Sequence, residues 1–294
     1  MLSAYYTQIL TLVGINIILV ASLNIVIGYT GLLSLGHAAF MSIGAYTASI
    51  LTVYYDVPFF AALLAGALFA SVFGIIIGLP TLKLRGDYLA IATLGFGEIV
   101  RIIIINMEIT RGPLGLTGIP RHTSLWLVYL FVILSLLVFY RLKRSRVGRA
   151  MIAIREDETA AEAMGINTTY YKVTAFAVAA FFAGTAGGLF AHYFRYINPN
   201  NFGFMRSIEI LVMVVLGGMG NMVGSVVGAT VLTAAPEMLR AVADYRMLIY
   251  GAALVAMMLI RPQGLLGEGK LKMPKKLPGF KVKNQIQERE KAKS

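Results

Sequence analysis

An all-α polytopic membrane protein, with about eight or nine transmembrane or re-entrant helices, is the fold this sequence predicts. Three observations point there. Hydrophobic residues make up 58% and charged residues only 14% of the 294 positions, where soluble domains carry roughly 25% charge. The apolar residues fall in long charge-free runs, not in the ~10-residue alternation of membrane barrel strands. There is no Cys, which excludes disulfide scaffolds, thiolate metal sites and Cys nucleophiles. The same composition excludes a disordered chain.

The runs give the elements in order. Met1–Tyr55 holds no Asp, Glu, Lys or Arg, enough length for two crossings of about 20 residues each. The natural break is GYTG at Gly28–Gly31, so the first helix is read over Ile9–Ile27. No basic segment precedes it and the apolar stretch is too long for a cleaved signal peptide. Uncharged runs follow at Val57–Leu82, His122–Tyr140, Val173–Phe194 and Ile210–Pro236. Asp87–Met107 is also apolar but carries Glu98 and Arg101. The last run, Met247–Ile260, reaches only about 21 Å against a hydrocarbon core of ~30 Å. Arg246 and Arg261 can snorkel from its ends.

Orientation follows from Lys and Arg in short loops. Arg141–Lys172 holds seven basic and four acidic residues, and Arg261–Ser294 holds ten and three. Both segments are expected in the cytoplasm, as is the turn carrying Lys83 and Arg85. Parity then puts the amino terminus outside and the carboxyl terminus inside. It also requires Ile208–Leu239 to enter and return, with LGGMGN at Leu216–Asn221 as the turning point. Its arms are short, so two crossings and a re-entrant pair both fit. The expected organisation is a transmembrane domain over 1–265, a cytoplasmic loop at 141–172 and a basic tail over 266–294. The tail has little apolar periodicity and is expected to be disordered. Its charge fits the orientation signal and attraction to anionic lipid heads, not nucleic-acid binding.

Membrane helices pack through small residues, because lipid supplies no hydrophobic drive between them. Gly74/Gly78, Gly184/Gly188 and Gly220/Gly224/Gly228 show that four-residue spacing and are candidate packing positions. A Gly-lined solute path is the alternative. Glu98 and Arg101 lie at i and i+3 on one helix face. A charge near the bilayer centre costs about 2.5–3.5 kcal/mol on insertion scales, so they face protein or water. They are read either as a bracing ion pair or as a polar path lining. His37, with Ser34 nearby, stands in GLLSLGHAAF, where polar side chains can satisfy a broken membrane helix. The three His residues, His37, His122 and His192, show no metal-ligand spacing, and no metal site is expected. Neither a GxxxxGK[ST] loop nor a GxSxG elbow occurs, so ATP binding by a P-loop and that hydrolase chemistry are excluded.

Arg146–Lys172 is too polar to span and too long for a turn. Asp157 can cap a helix starting near Glu158, and Glu156 and Glu158 put negative charge at its positive end. Ala160, Ala161, Ala163 and Met164 favour helix, and Gly165 sits where a C′ residue belongs. A short helix presented between two membrane helices is physically a docking element, or alternatively a helix lying on the membrane surface.

Several stretches together resemble one family. They are GYTGLLSLGHAAFMSIGAY (Gly28–Tyr46), LRGDYLAIATLGFGEIVRI (Leu84–Ile102), GLTGIP (Gly115–Pro120), GRAMIAIREDETAAEAMGIN (Gly148–Asn167), IEILVMVVLGGMGN (Ile208–Asn221) and RPQGLLG (Arg261–Gly267). The chain resembles the permease subunits of ABC importers for branched-chain amino acids, of the LivM type. The resemblance implies a second homologous permease (LivH-like), two cytoplasmic ATPases (LivG/LivF-like) that carry ATP and Mg²⁺, and an extracytoplasmic solute-binding protein. It implies no cofactor on this chain, no enzymatic activity of its own, and placement in the cell's inner membrane. The polar loop is similar to the ABC coupling segment E-A-A-x-x-x-G. Aligned on Gly165, Ala160 and Ala161 match and Thr159 stands in place of Glu, with Glu158 one position earlier. Glu158, Thr159, Ala160, Ala161, Glu162 and Gly165 are the coupling candidates. Ser34, His37, Glu98, Arg101, Gly217, Gly218 and Gly220 are the translocation-path candidates. Amides, urea and other amino acids are alternative solutes. The competing class is an ion-driven secondary transporter, which favours inverted repeats and intramembrane acids. Only Glu98 lies well inside a span, and no strong inverted repeat is visible.

Overall fold

The computed structural model describes residues 2–81, 84 and 86–238. Lys83, Arg85, the Met247–Ile260 run, the RPQGLLG motif and the 266–294 tail lie outside the described residues. Among those described, ten α-helices run in chain order: α1 (Leu2–Asn24), α2 (His37–Tyr54), α3 (Phe59–Thr81), α4 (Asp87–Asn106), α5 (Leu125–Arg144), α6 (Arg146–Glu156), α7 (Glu158–Ala163), α8 (Thr168–Phe194), α9 (Phe204–Gly217) and α10 (Met222–Met238). Six of the described helical segments are long and apolar enough to cross a membrane. The chain is an all-α polytopic membrane protein.

Burial orders the helices. The apolar window of α1 is 83% buried and that of α8 67%, against 22% for α5. Accordingly α1 and α8 form the centre. α8 packs on α2 and α3, and α1 packs on α5, α9 and α10. The outward faces of α3, α4 and α5 expose Leu64, Leu68, Ile91, Ile99, Leu130 and Ile133, as an apolar solvent or a partner helix requires. α2 is not among the six. It carries His37, Ser42, Ser49 and Thr52, all buried, so its polar groups face protein.

The predicted break after α1 is present and takes a specific form. The helix widens into a π segment at Ile25–Tyr29, then unwinds through residues 31–36 before α2 begins at His37. Freed backbone groups find partners in side chains. Leu35 N donates to Thr93 Oγ1 (3.0 Å), and Ala38 N donates to Ser207 Oγ (3.3 Å). Irregular backbone inside a bundle is tolerated when its groups are paired in this way.

Close helix approach depends on Gly. A Cβ on Gly44 would run into the Gly184 backbone, and one on Gly74 would lie 2.7 Å from the Ala180 methyl. Gly188 meets Leu63 and Ala48, whereas a Cβ on Gly78 would find only ordinary contacts at 3.7 Å. Gly217 and Gly224 stand backbone to backbone, with Gly228 against Met213 and Gly217. The α9–α10 pair therefore closes tightly beside α1. Its turn occupies residues 218–221, where Gly218 (φ 112) and Gly220 (φ 81) take conformations that suit Gly alone.

At the far end of α8 from α6 and α7, Leu116–Thr117 and Tyr196–Ile197 form a two-stranded antiparallel pair. This pairing was not anticipated from sequence.

Candidate functional site

The polar loop folds into two helices where one was expected. α6 starts at Ser145, whose Oγ accepts from Gly148 N (3.1 Å), and buries Gly148, Met151 and Ile154. A Ser cap followed by apolar residues three apart is the local signal for it. α7 is short but closed at both ends. Asp157 Oδ1 accepts from Ala160 N (3.0 Å). At the other end Gly165 N donates to Glu162 O (2.9 Å) and Ile166 N to Ala161 O (3.1 Å), with Gly165 at φ 81. That is the paired 5→2 and 6→1 bonding of a Schellman stop.

Side chains then fix how α7 is presented. Glu158 pairs with Lys172 at the start of α8, whose side chain is only 5% exposed. Glu162 Oε1 accepts from Thr168 Oγ1 (2.7 Å), and Ala161 is buried. Two acidic residues and one Ala thus anchor α7 to the bundle. Thr159, Ala160 and Ala163 are left exposed, and Met164 is 82% exposed. Met164 was not among the coupling candidates and is the most prominent apolar side chain of this surface.

The loop is tied to the membrane break by two cations. Arg155 Nη1 donates to Gly28 O (2.6 Å), and Lys143 Nζ donates to Gly220 O (2.8 Å). Between them Asn24 bridges α1 and the α9–α10 turn. Its Oδ1 accepts from Gly220 N (2.8 Å) and its Nδ2 donates to Ser225 Oγ (2.7 Å). A Cβ on Gly28 would overlap Gly220. The π segment, the α9–α10 turn, the end of α5 and the end of α6 therefore meet at one node, whose Arg155 stands three positions before the start of α7.

The path candidates separate into three places. His37 is buried, with Nε2 2.8 Å from Ser22 Oγ. Ser34 lies in the unwound segment and accepts from Gly36 N at 3.4 Å. Gly217, Gly218 and Gly220 belong to the α9–α10 turn. Glu98 and Arg101 sit apart from all of these. They form a two-point ion pair, and Arg101 Nη1 also donates to Asn200 Oδ1 (2.8 Å). Asn200 lies in the Pro199–Phe202 turn at the end of the bundle opposite α7. A cleft of about 530 Å³ opens there between α1, α2, α8 and α9, with Asn200, Arg206 and Glu209 on its wall. Arg206 and Glu209 repeat the i, i+3 pairing of Glu98 and Arg101, a pair the sequence analysis did not single out.

The family model described as "Branched-chain amino acid transport system / permease component" matches residues 5–258. The chain belongs to this family. It is 41% identical over 97% of its length to the high-affinity branched-chain amino acid transport system permease protein LivM of Escherichia coli, covering 73% of that relative. It is 34% identical over 49% of its length to the LivH permease protein of Salmonella typhimurium, covering 46% of that chain. Similarity extends to the probable LivM permease of Methanocaldococcus jannaschii, at 27% identity over 76% of this chain and 77% of that one. No solved structure matches. The permease is a transport subunit, not an enzyme. Among the described residues no cluster of His, Asp or Glu is arranged to hold a metal ion.

Proposed function

We propose that this permease is the LivM-type subunit of an ATP-driven importer that carries leucine, isoleucine and valine across the inner membrane. It pairs with a LivH-like permease, is driven by two LivG/LivF-like ATPases that bind ATP and Mg²⁺, and receives solute from an extracytoplasmic binding protein. In this reading α6 and α7 face the cytoplasm, the amino terminus lies outside, and the basic tail over 266–294 stays on the cytoplasmic side. The positive balance of Arg141–Lys172 supports that orientation.

The observation that carries the mechanism is α7, a helix capped at both ends, anchored by Glu158 and Glu162, with Thr159, Ala160, Ala163 and Met164 turned outward. A short rigid helix on a loop suits an ATPase groove, because little entropy is lost when it docks. Motion of an ATPase against α7 reaches Arg155 within three residues and, through α6, Lys143 at the end of α5. From there it reaches the Gly28 and Gly220 carbonyls, at the two places where membrane helices are broken. The path candidates Ser34, His37, Gly217, Gly218 and Gly220 surround those breaks, and a shift there changes which helix faces line the route between the two permeases. Hydrolysis on partner chains and solute movement here are thereby linked through backbone contacts.

Affinity purification of the tagged permease from its native membranes, read by mass spectrometry, tests this. A second permease and two ATPases are expected to copurify, and deletion of Ala160–Met164 is expected to lose the ATPases while keeping the second permease. Retention of the ATPases by the deletion variant would place the contact elsewhere.

A further inference from the structure

The cleft opposite α7 has a chemistry that the coupling mechanism does not use. Its apolar wall is built from Leu12, Met41, Phe190 and Phe194, and its polar wall from Asn200, Arg206 and Glu209. At about 530 Å³ it lies within the ~300–1,000 Å³ range of small-molecule sites. Arg206 is held firmly, with Nη1 on Glu209 Oε2 (2.8 Å) and Nη2 on Asn16 Oδ1 (2.6 Å). Its side chain is 18% exposed and that of Glu209 is 52% exposed. A guanidinium has five N–H donors and a carboxylate about four acceptor positions. Both groups line the cleft and therefore keep hydrogen-bonding capacity there beyond the bonds to each other and to Asn16. One cation and one anion side by side on one wall, facing aliphatic and aromatic side chains on the other, complement a small zwitterion with an apolar side chain.

We infer that this cleft is a receiving site on the permease for a free α-amino acid with an aliphatic side chain. Its carboxylate is taken by Arg206, its ammonium by Glu209, and its side chain by the Leu12–Met41–Phe190–Phe194 wall. The inference rests on the proposed transport of branched-chain amino acids and adds where this chain first contacts the solute. Charge-assisted bonds to both ends of the ligand discriminate against amines and fatty acids of the same shape, since either would make only one of the two bonds. The Arg101–Asn200 bond fixes the rim beside the cleft, so Glu98 and Arg101 act here as positioning residues.

The test uses the assembled transporter in proteoliposomes with ATP inside and the loaded binding protein outside, together with direct binding of radiolabelled leucine to the assembly without the binding protein. Glu209→Gln removes the anion at constant shape on a half-exposed side chain, and Met205→Trp enlarges another lining residue, 71% exposed, without changing either charge. Wild type is expected to bind leucine weakly and saturably. Glu209→Gln is expected to weaken that binding about tenfold or more and to lower uptake, and Met205→Trp to lower both, with the assembly intact by size-exclusion chromatography. Unchanged leucine binding and unchanged uptake in both variants would overturn the site alone. A wild-type assembly that carries neither leucine, isoleucine nor valine would overturn the substrate reading and the site with it. Lost uptake with leucine binding unchanged would overturn the site and make the cleft a docking surface for the binding protein.

Discussion

A single methyl group divides the glycines of this bundle into two kinds. At Gly44 it meets the Gly184 backbone, whereas at Gly78 it finds ordinary spacing to Phe176 and Val173. Four-residue spacing in the sequence marks Gly78 and passes over Gly44, because it reports a face and not a distance. Gly44→Ala is expected to destabilise the permease by about 1–3 kcal/mol through overpacking. Gly78→Ala is expected to be neutral or to stabilise it by up to about 1 kcal/mol, from reduced unfolded-state freedom. Thermal unfolding of the detergent-solubilised protein reads both, and an equal loss at the two positions would contradict the assigned contacts. Glu98 and Arg101 yield to the same kind of test. Each neutralises the other beside Asn200, so either single change to Gln leaves a charge without its partner. The double change to Gln is expected to be less harmful than the sum of the singles, with a coupling of about 0.2–1 kcal/mol in a thermal-stability cycle, since both side chains are partly exposed. Additive effects would show that the pair contributes nothing jointly.

At the scale of elements, the short α7 depends on its ends more than on its six residues. Gly165 holds φ 81, a conformation Pro cannot adopt, so Gly165→Pro is expected to unwind the Schellman stop and uncouple ATP hydrolysis from transport. Normal uptake in that variant would reject the role of α7. Arg155→Ala removes the bond to Gly28 O while leaving the α7 caps in place, so it is expected to retain the ATPases but lower uptake at least severalfold. Full uptake would show that the node does not transmit. The caps of α7 were legible because Asp157 and Gly165 act on backbone within three or four residues. The break at Gly28–Gly31 and the turn at Leu216–Asn221 were legible for the same local reason. α6 was not anticipated, since its buried face of Gly148, Met151 and Ile154 is spaced through a charged stretch and includes a Gly. The Asn24–Gly220 bridge joins positions 196 residues apart, and no local signal in the sequence names the distant segment that a polar side chain of α1 meets.

For the molecule as a whole, the arrangement places two kinds of chemistry at opposite ends of one helical bundle. One end bears α6 and α7, with cations reaching into the membrane breaks. The other bears paired charges beside an apolar cleft. Between them run α1 and α8, the two most buried of the six spans, and α3, α4 and α5 expose apolar faces around them. The sequence made the helical class and most spans plain through charge-free runs. It could not reveal the grouping of Arg206, Glu209 and Asn200 with Leu12 and Met41, because that site is assembled from four helices. The most direct measurement of the central claim is uptake of radiolabelled leucine into proteoliposomes holding the purified assembly and supplied with binding protein. Uptake is expected to require ATP inside the vesicles, to persist when proton and sodium gradients are collapsed, and to fail when Ala160–Met164 is deleted. Uptake that needs an ion gradient and proceeds without ATP would contradict the account.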